Sequence, residues 1–395
     1  MKQYKNFVYL GLTVLFVTTF PMCLGYLPFG AFRPRALLLL ASFILAGSVW
    51  NNSISKKFIA FAAYVAMSWF IFNRFTIEGF GANFMEYAIP VLLFIAVIRI
   101  NDYEVYKKVA YFAVFTTLLT MAVSIVACSI YPDAIRGMVG AVASGDFAKA
   151  LVYQRTGVCS YGFAAMMMVV APICVGLAKQ QKNRRTSYLL LGIAALSYYF
   201  LYIAGTTTPL LISLLMTALT VIVKKMTFKH IIFASVVITV IVPFALSVLS
   251  SLSIFAGTNF ESRLADVSAV ASGGVTADDS DLDTRNELIG YSLSAFGQSP
   301  VFGSFNTTTG GHNYYIDFLA HYGIFGTILY VIFFVSLFKM TVLHLTERYK
   351  SIYMICVVSL IMIGVLKWCS GIEYWLYTFF YIPCMLIYLS KKEAN

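Results

Sequence analysis

Residues 251–312 are the longest polar stretch of the chain, and they hold Arg263, Arg285 and His312. An imidazole titrates near neutrality and suits a general base. A guanidinium offers a planar fork of donors to a phosphate. Arg285 stands in Thr284-Arg285-Asn286-Glu287, which reads as a capping box opening a short helix. In a first turn, free N–H groups and the helix dipole already attract anions, so Arg285 would complete a pyrophosphate seat there. The alternative is an interfacial arginine held by lipid headgroups. Gly310-Gly311 would let the backbone approach a ligand closely before His312-Asn313. A lone histidine at a membrane interface is more often structural. Asn313, Asp317 and His321 recur every four residues and share one helix face. That stripe is a site wall, a hydrogen-bonded helix contact or a proton path. Residues 132–157 add Arg136, Lys149 and Arg155, with Arg155-Thr156-Gly157 just before a hydrophobic run. Arg155 there would snorkel to the interface or bind phosphate from the far wall of the same cavity.

The elements that must carry these groups are mostly apolar helices. The chain has 395 residues, 60% of them hydrophobic and 11% charged, and a mean hydropathy of +0.82. That balance belongs to a protein solvated by lipid. Backbone groups in lipid must pair within their own segment, so helices are expected, each crossing with about 20 residues. Twelve spans are read at 7–27, 36–50, 58–73, 84–99, 109–131, 158–178, 187–205, 208–223, 231–250, 313–338, 351–369 and 372–390. The first has the flanks of a signal peptide, but its apolar run is too long and no small-residue cleavage site follows. It is read as retained. Gly205 to Pro209 is expected to turn tightly.

Charge sets the expected orientation. With the N-terminus inside, 19 of the 28 basic residues fall in cytoplasmic segments, which satisfies the positive-inside rule with both termini cytoplasmic. The net charge of +11 is thus a topology signal. No basic domain stands outside the membrane, so no nucleic-acid partner is expected. The result is a single transmembrane domain, residues 1–395, with long outer loops at 132–157 and 251–312. In the second, Asp278-Asp279-Ser280-Asp281-Leu282-Asp283 reads as solvated loop rather than a metal site. Leu288, Ile289, Tyr291, Leu293 and Phe296 would face a helix toward the interface, ended by Gly297 and Pro300. The seven cysteines are scattered without a CxxC pair. Cys128 and Cys159 bracket an outer loop and could bridge, although buried free thiols are the expectation.

The segment from Arg285 through Gln298-Ser299-Pro300-Val301-Phe302-Gly303 to Gly311-His312-Asn313-Tyr314 and Gly323-Ile324-Phe325-Gly326 resembles the signature of the O-antigen polymerase and O-antigen ligase superfamily. In that family an arginine-led helix precedes a Pro-hydrophobic-hydrophobic-Gly turn. A His-Asn pair then opens a helix with a Gly-x-x-Gly step. Arg155-Thr156-Gly157 is similar to the family's arginine-glycine element, and the pattern of spans with long third and fifth outer loops matches too. Two features depart. Gly205-Thr206-Thr207-Thr208-Pro209 stands where relatives carry Ser-Arg, and Gly297 falls one residue late for the Arg-x10-Gly spacing.

The resemblance implies an all-α, GT-C-like membrane glycosyltransferase of the bacterial inner membrane, inverting and metal-independent, with no cofactor and an active site facing the periplasm. It implies a donor saccharide on undecaprenyl pyrophosphate, with membrane lipids, a chain-length regulator and a flippase as candidate partners. His312 would accept the proton of an attacking sugar hydroxyl. Arg285 and Arg155, with Arg136 and Arg263, would bind the leaving pyrophosphate, and the lipid tail would lie in a groove between spans. Asn313, Asp317 and His321 are expected to line the saccharide site. Polymerisation of repeat units is the favoured reaction. Ligation of finished glycan to lipid A–core, and transport of the same lipid-linked saccharide, are the alternatives.

Overall fold

The computed structural model describes residues 9, 56–57, 60, 63–64, 90–130, 145–146, 148, 161–223, 281–304, 313–366 and 376–394. Among them all regular structure is helical, with no strand. The helices are α1 (Pro90–Ile100), α2 (Tyr103–Ile130), α3 (Tyr161–Met167), α4 (Val170–Ala178), α5 (Arg184–Ile203), α6 (Thr207–Ile222), α7 (Asp281–Gln298), α8 (Tyr314–Leu343), α9 (Glu347–Leu366) and α10 (Ile382–Ala394). Helices α2, α5 and α8 are long and apolar enough to cross a membrane. With the shorter apolar helices around them, they make this an all-α, membrane-embedded architecture. The spans expected at 36–50 and 231–250 lie outside the described residues, as do most of 7–27 and 58–73.

Two expected spans are interrupted, and proline accounts for both. Residues 158–178 were expected as one helix, but α3 and α4 are separated at Met168–Val169. Pro172 lies four residues beyond Met168, where its ring opposes that carbonyl and it has no N–H to offer. Ser197 of α5 donates to the neighbouring Met167 carbonyl at 2.9 Å. Likewise a π turn, Tyr377–Tyr381, precedes α10. Pro383 sits four residues after Phe379, and the wider turn accommodates its ring. The turn expected between the seventh and eighth spans is present, with Gly205 at φ 63°. There the chain needs a residue without Cβ.

Helix ends with basic side chains meet at one end of the bundle. Arg348, at the start of α9, pairs with Glu393 of α10 at 2.9 Å and donates to the Gln180 carbonyl beyond α4 at 2.8 Å. Lys179 caps the end of α6 through the Thr220 and Val221 carbonyls. Lys391 binds the carbonyl and side chain of Asn101, between α1 and α2. Within the bundle α4 packs against α5, α6 and α9, and α10 runs along α2. Cys128, Cys174, Cys356 and Cys384 are buried free thiols.

Helix α8, expected as a single span over 313–338, is sharply bent at Gly323 (φ 65°, ψ −175°). A straight helix would separate Phe318 from Tyr330 by about 18 Å along its axis. Their ring centroids are 4.5 Å apart, and the Tyr314 and Tyr330 hydroxyls lie 3.4 Å apart. The arm after Gly323 runs to the basic end, where Thr346 N–H reaches Ser390 Oγ. That arm has about the 20 residues that cross a bilayer. Gly323 therefore sits about 30 Å from the basic end, and the arm before it, 314–322, packs at the level of Tyr330, about 20 Å from that end. Its Tyr315 packs on Gly364 near the far end of α9, where an added Cβ would come within 2.6 Å of the ring.

Candidate functional site

The first arm of α8 starts from a reciprocal cap. Asn313 Oδ1 accepts the Ile316 N–H at 3.1 Å, while Asp317 Oδ2 accepts the Asn313 N–H at 3.1 Å. The other carboxylate oxygen of Asp317 accepts the Ser292 hydroxyl of α7 at 2.5 Å. Asp317 is 3% exposed and Ser292 fully buried. A buried carboxylate is tolerable when its lone pairs are met by donors, and here both oxygens are. Asp317 thereby makes a hydrogen-bonded contact between α8 and α7, and Asn313 caps its own helix. His321 is partly buried, its ring 5.3 Å from that of Tyr322.

Helix α7 runs in the same direction as this arm. Ser292 meets Asp317, and further on Pro300 C=O accepts the Ile324 N–H at 2.9 Å. One expectation about α7 needs correction. It begins at Asp281, so Arg285 occupies the second turn instead of the first. Acidic residues favour a helix N-terminus, and Asp281 and Asp283, expected in solvated loop, supply that turn. Its buried side is small, and the apolar residues expected to face the interface are half-buried or exposed. Ser292 and Ala295 are buried, while Tyr291 and Leu293 are 61% and 51% exposed. Arg285 lies two turns before Ser292, so its Cα is on the Ser292 face and about 10 Å further back. Asn313 lies about 6 Å behind Asp317 on the same measure. The backbone at Arg285 is thus carried about 4 Å past the start of α8.

Beyond α7 the turn Ser299–Ser304 replaces a piece of α8's own hydrogen bonding. The bend at Gly323 frees the N–H groups of Ile324 and Phe325, which the Pro300 and Val301 carbonyls accept at 2.9 and 3.0 Å. In return Ser304 N–H takes the Ala320 carbonyl at 2.9 Å. Non-helical backbone within a membrane protein has to find partners inside the protein, and these are its partners. Both glycines are required. A Cβ at Gly303 (φ 87°) would lie 2.1 Å from the His321 oxygen, and one at Gly323 would lie 2.4 Å from Gly303 N and Val301 O.

Tyr64 locks the joint. Its hydroxyl lies 2.8 Å from the Phe302 carbonyl and 2.7 Å from that of Tyr322. Its ring occupies the space a side chain at Gly326 would fill. Both glycines of the Gly-x-x-Gly step therefore have a packing reason. Sequence reading missed Tyr64, which lies in an undistinguished apolar run. It also missed Ser292, although the helical spacing of Leu288, Ser292 and Ala295 would have placed it on the buried face.

His312, Arg136, Arg155 and Arg263 lie outside the described residues, and of Arg285 the structure describes the backbone alone. Covalent connection sets His312 one peptide bond before Asn313. An apolar groove of about 120 Å³ opens between α2, α4, α5 and α10, walled by Val114, Leu118, Ile173, Leu190 and Met385. It is lined mainly by aliphatic side chains, with Tyr377 and Tyr381 the aromatic exceptions. No protein-family model matches the chain, and no curated protein matches it.

Proposed function

We propose that this protein is a polysaccharide polymerase that joins oligosaccharide repeat units carried on undecaprenyl pyrophosphate. The reaction takes place at the outer face of the bacterial inner membrane, in a GT-C-like fold of twelve spans with both termini cytoplasmic. A hydroxyl of the acceptor sugar attacks the anomeric carbon of the donor. The new C–O bond forms as the bond to pyrophosphate breaks, with inversion. His312 takes the hydroxyl proton. Arg285 and Arg155, aided by Arg136 and Arg263, bind the charge that grows on the departing pyrophosphate. No step calls for a metal ion.

One observation carries the reading. The arm that begins at Asn313 and the helix that bears Arg285 are fastened side by side, at the bundle end opposite Lys179, Arg348 and Lys391. By the positive-inside rule, that opposite end faces away from the cytoplasm. Asn313 and Asp317 then act by fixing the frame on which His312 and Arg285 stand, with His321 on the same arm. Deletion of the gene followed by glycan gel analysis tests the proposal. Loss of long chains with accumulation of single repeats is expected, restored by the native chain and unrestored by His312→Ala. Full-length chains left on the lipid carrier would assign the protein to ligation instead.

A further inference from the structure

A second pocket, of about 250 Å³, lies at the basic end between α4, α6 and α9, remote from the arm described above. Lys179, Gln180, Arg348 and Ser351 contribute its polar wall. The hydrogen-bond inventory there is unbalanced. Lys179 has three N–H donors, of which two are used by the Thr220 and Val221 carbonyls. Arg348 has five, directed in part to Glu393 and the Gln180 carbonyl. Gln180 Oε1 is a buried acceptor without a partner among the described residues. Two cations against the single carboxylate of Glu393 leave a net positive charge at the pocket.

We infer that this pocket binds the headgroup of an anionic phospholipid from the leaflet at the basic end. The phosphodiester oxygens take the spare N–H groups of Lys179 and Arg348, and the Gln180 carboxamide turns into the pocket it lines to accept a headgroup hydroxyl at Oε1. Phosphatidylglycerol has both parts, a single negative charge and glycerol hydroxyls. Choline headgroups lack the donor, and ethanolamine headgroups lack the net charge. Basic clefts between helices at a cytoplasmic surface are suited to such lipids. Seated there, the lipid would bridge the Lys179–α6 cap and the Arg348–Glu393 pair.

Native mass spectrometry of the full-length protein tests this, with equimolar phosphatidylglycerol, phosphatidylethanolamine and phosphatidylcholine supplied in mixed micelles. One phosphatidylglycerol should be retained with about fivefold or greater preference over the other two, since each cation near a bilayer surface contributes that order. The Lys179→Met/Gln180→Met double variant should fall to parity. Equal retention of the three lipids by the native protein would overturn the inference, as would a preference that survives in the double variant. A parallel thermal-unfolding series distinguishes the source of the anion. Phosphatidylglycerol should raise the midpoint and millimolar inorganic phosphate should not; an equal rise with phosphate would overturn the lipid assignment.

Discussion

Gly323→Ala is the most informative single change in the joint between the Ser299–Ser304 turn and α8. The residue adopts φ 65°, ψ −175°, a region that glycine alone occupies without strain, so alanine costs about 1–3 kcal/mol in backbone energy. Its Cβ would also sit 2.4 Å from Gly303 N and Val301 O. Relieving that overlap requires the turn to withdraw. The Ile324–Pro300 and Phe325–Val301 hydrogen bonds are then lost, at about 1 kcal/mol each. The total is about 3–5 kcal/mol. Gly290→Ala is the matched control, because a Cβ there meets nothing within 4 Å and alanine in a helix interior gains up to about 1 kcal/mol. Reversible unfolding in mild detergent, followed by circular dichroism over a denaturant series, measures both. Gly323→Ala should lose most of its stability while Gly290→Ala keeps or gains. Comparable stability of the two variants would refute the backbone exchange between turn and helix.

Further outcomes are expected at neighbouring residues. Tyr64→Phe keeps the ring that packs on Gly326 but removes the hydroxyl between the Phe302 and Tyr322 carbonyls. It should cost about 1–2 kcal/mol in the same unfolding series. Ser292→Ala takes one donor from the buried Asp317 carboxylate and should cost about 1.5–3 kcal/mol, whereas Ser292→Thr should recover most of it. Glu393→Gln breaks a pair whose side chains are 44% and 38% exposed; a change within about 1 kcal/mol is expected. Arg285→Lys should lower elongation in a complementation assay by about tenfold or more, since a point charge does not reproduce the planar fork.

Composition and periodicity made the helical, membrane-embedded class legible, and the ends of α5, α6 and α9 fell within a few residues of expectation. They did so because each is an uninterrupted apolar run between polar signals. Interruptions were harder to read. Hydropathy treats Met168 and Phe379 like their neighbours, and only the position of a proline four residues on marks the break. The bend of α8 illustrates the same limit more sharply. Gly323 and Gly326 were visible as a Gly-x-x-Gly step, but Gly323 is set by the Ser299–Ser304 turn and Gly326 by Tyr64, more than two hundred residues away in sequence. At the candidate site the Asn313–Asp317 spacing correctly pointed to a shared face. The partner across that face, Ser292, was hidden because a lone serine between the outward-facing Tyr291 and Leu293 carries no hydrophobic signal. The helix start was misplaced by a local pull: Thr284 with Glu287 has the form of a capping box, yet Asp281 extends the helix ahead of it.

The central claim is that this chain transfers glycosyl groups with His312 as proton acceptor. The direct measurement incubates purified protein in lipid micelles with undecaprenyl-pyrophosphate-linked repeat units, without nucleotide or ion gradient, and reads chain length by gel and mass spectrometry. The native protein should lengthen the glycan stepwise, and a correctly inserted His312→Ala variant should be slower by about a hundredfold or more. Substrate left unchanged by the native protein, or elongation at the native rate by the variant, would contradict the account.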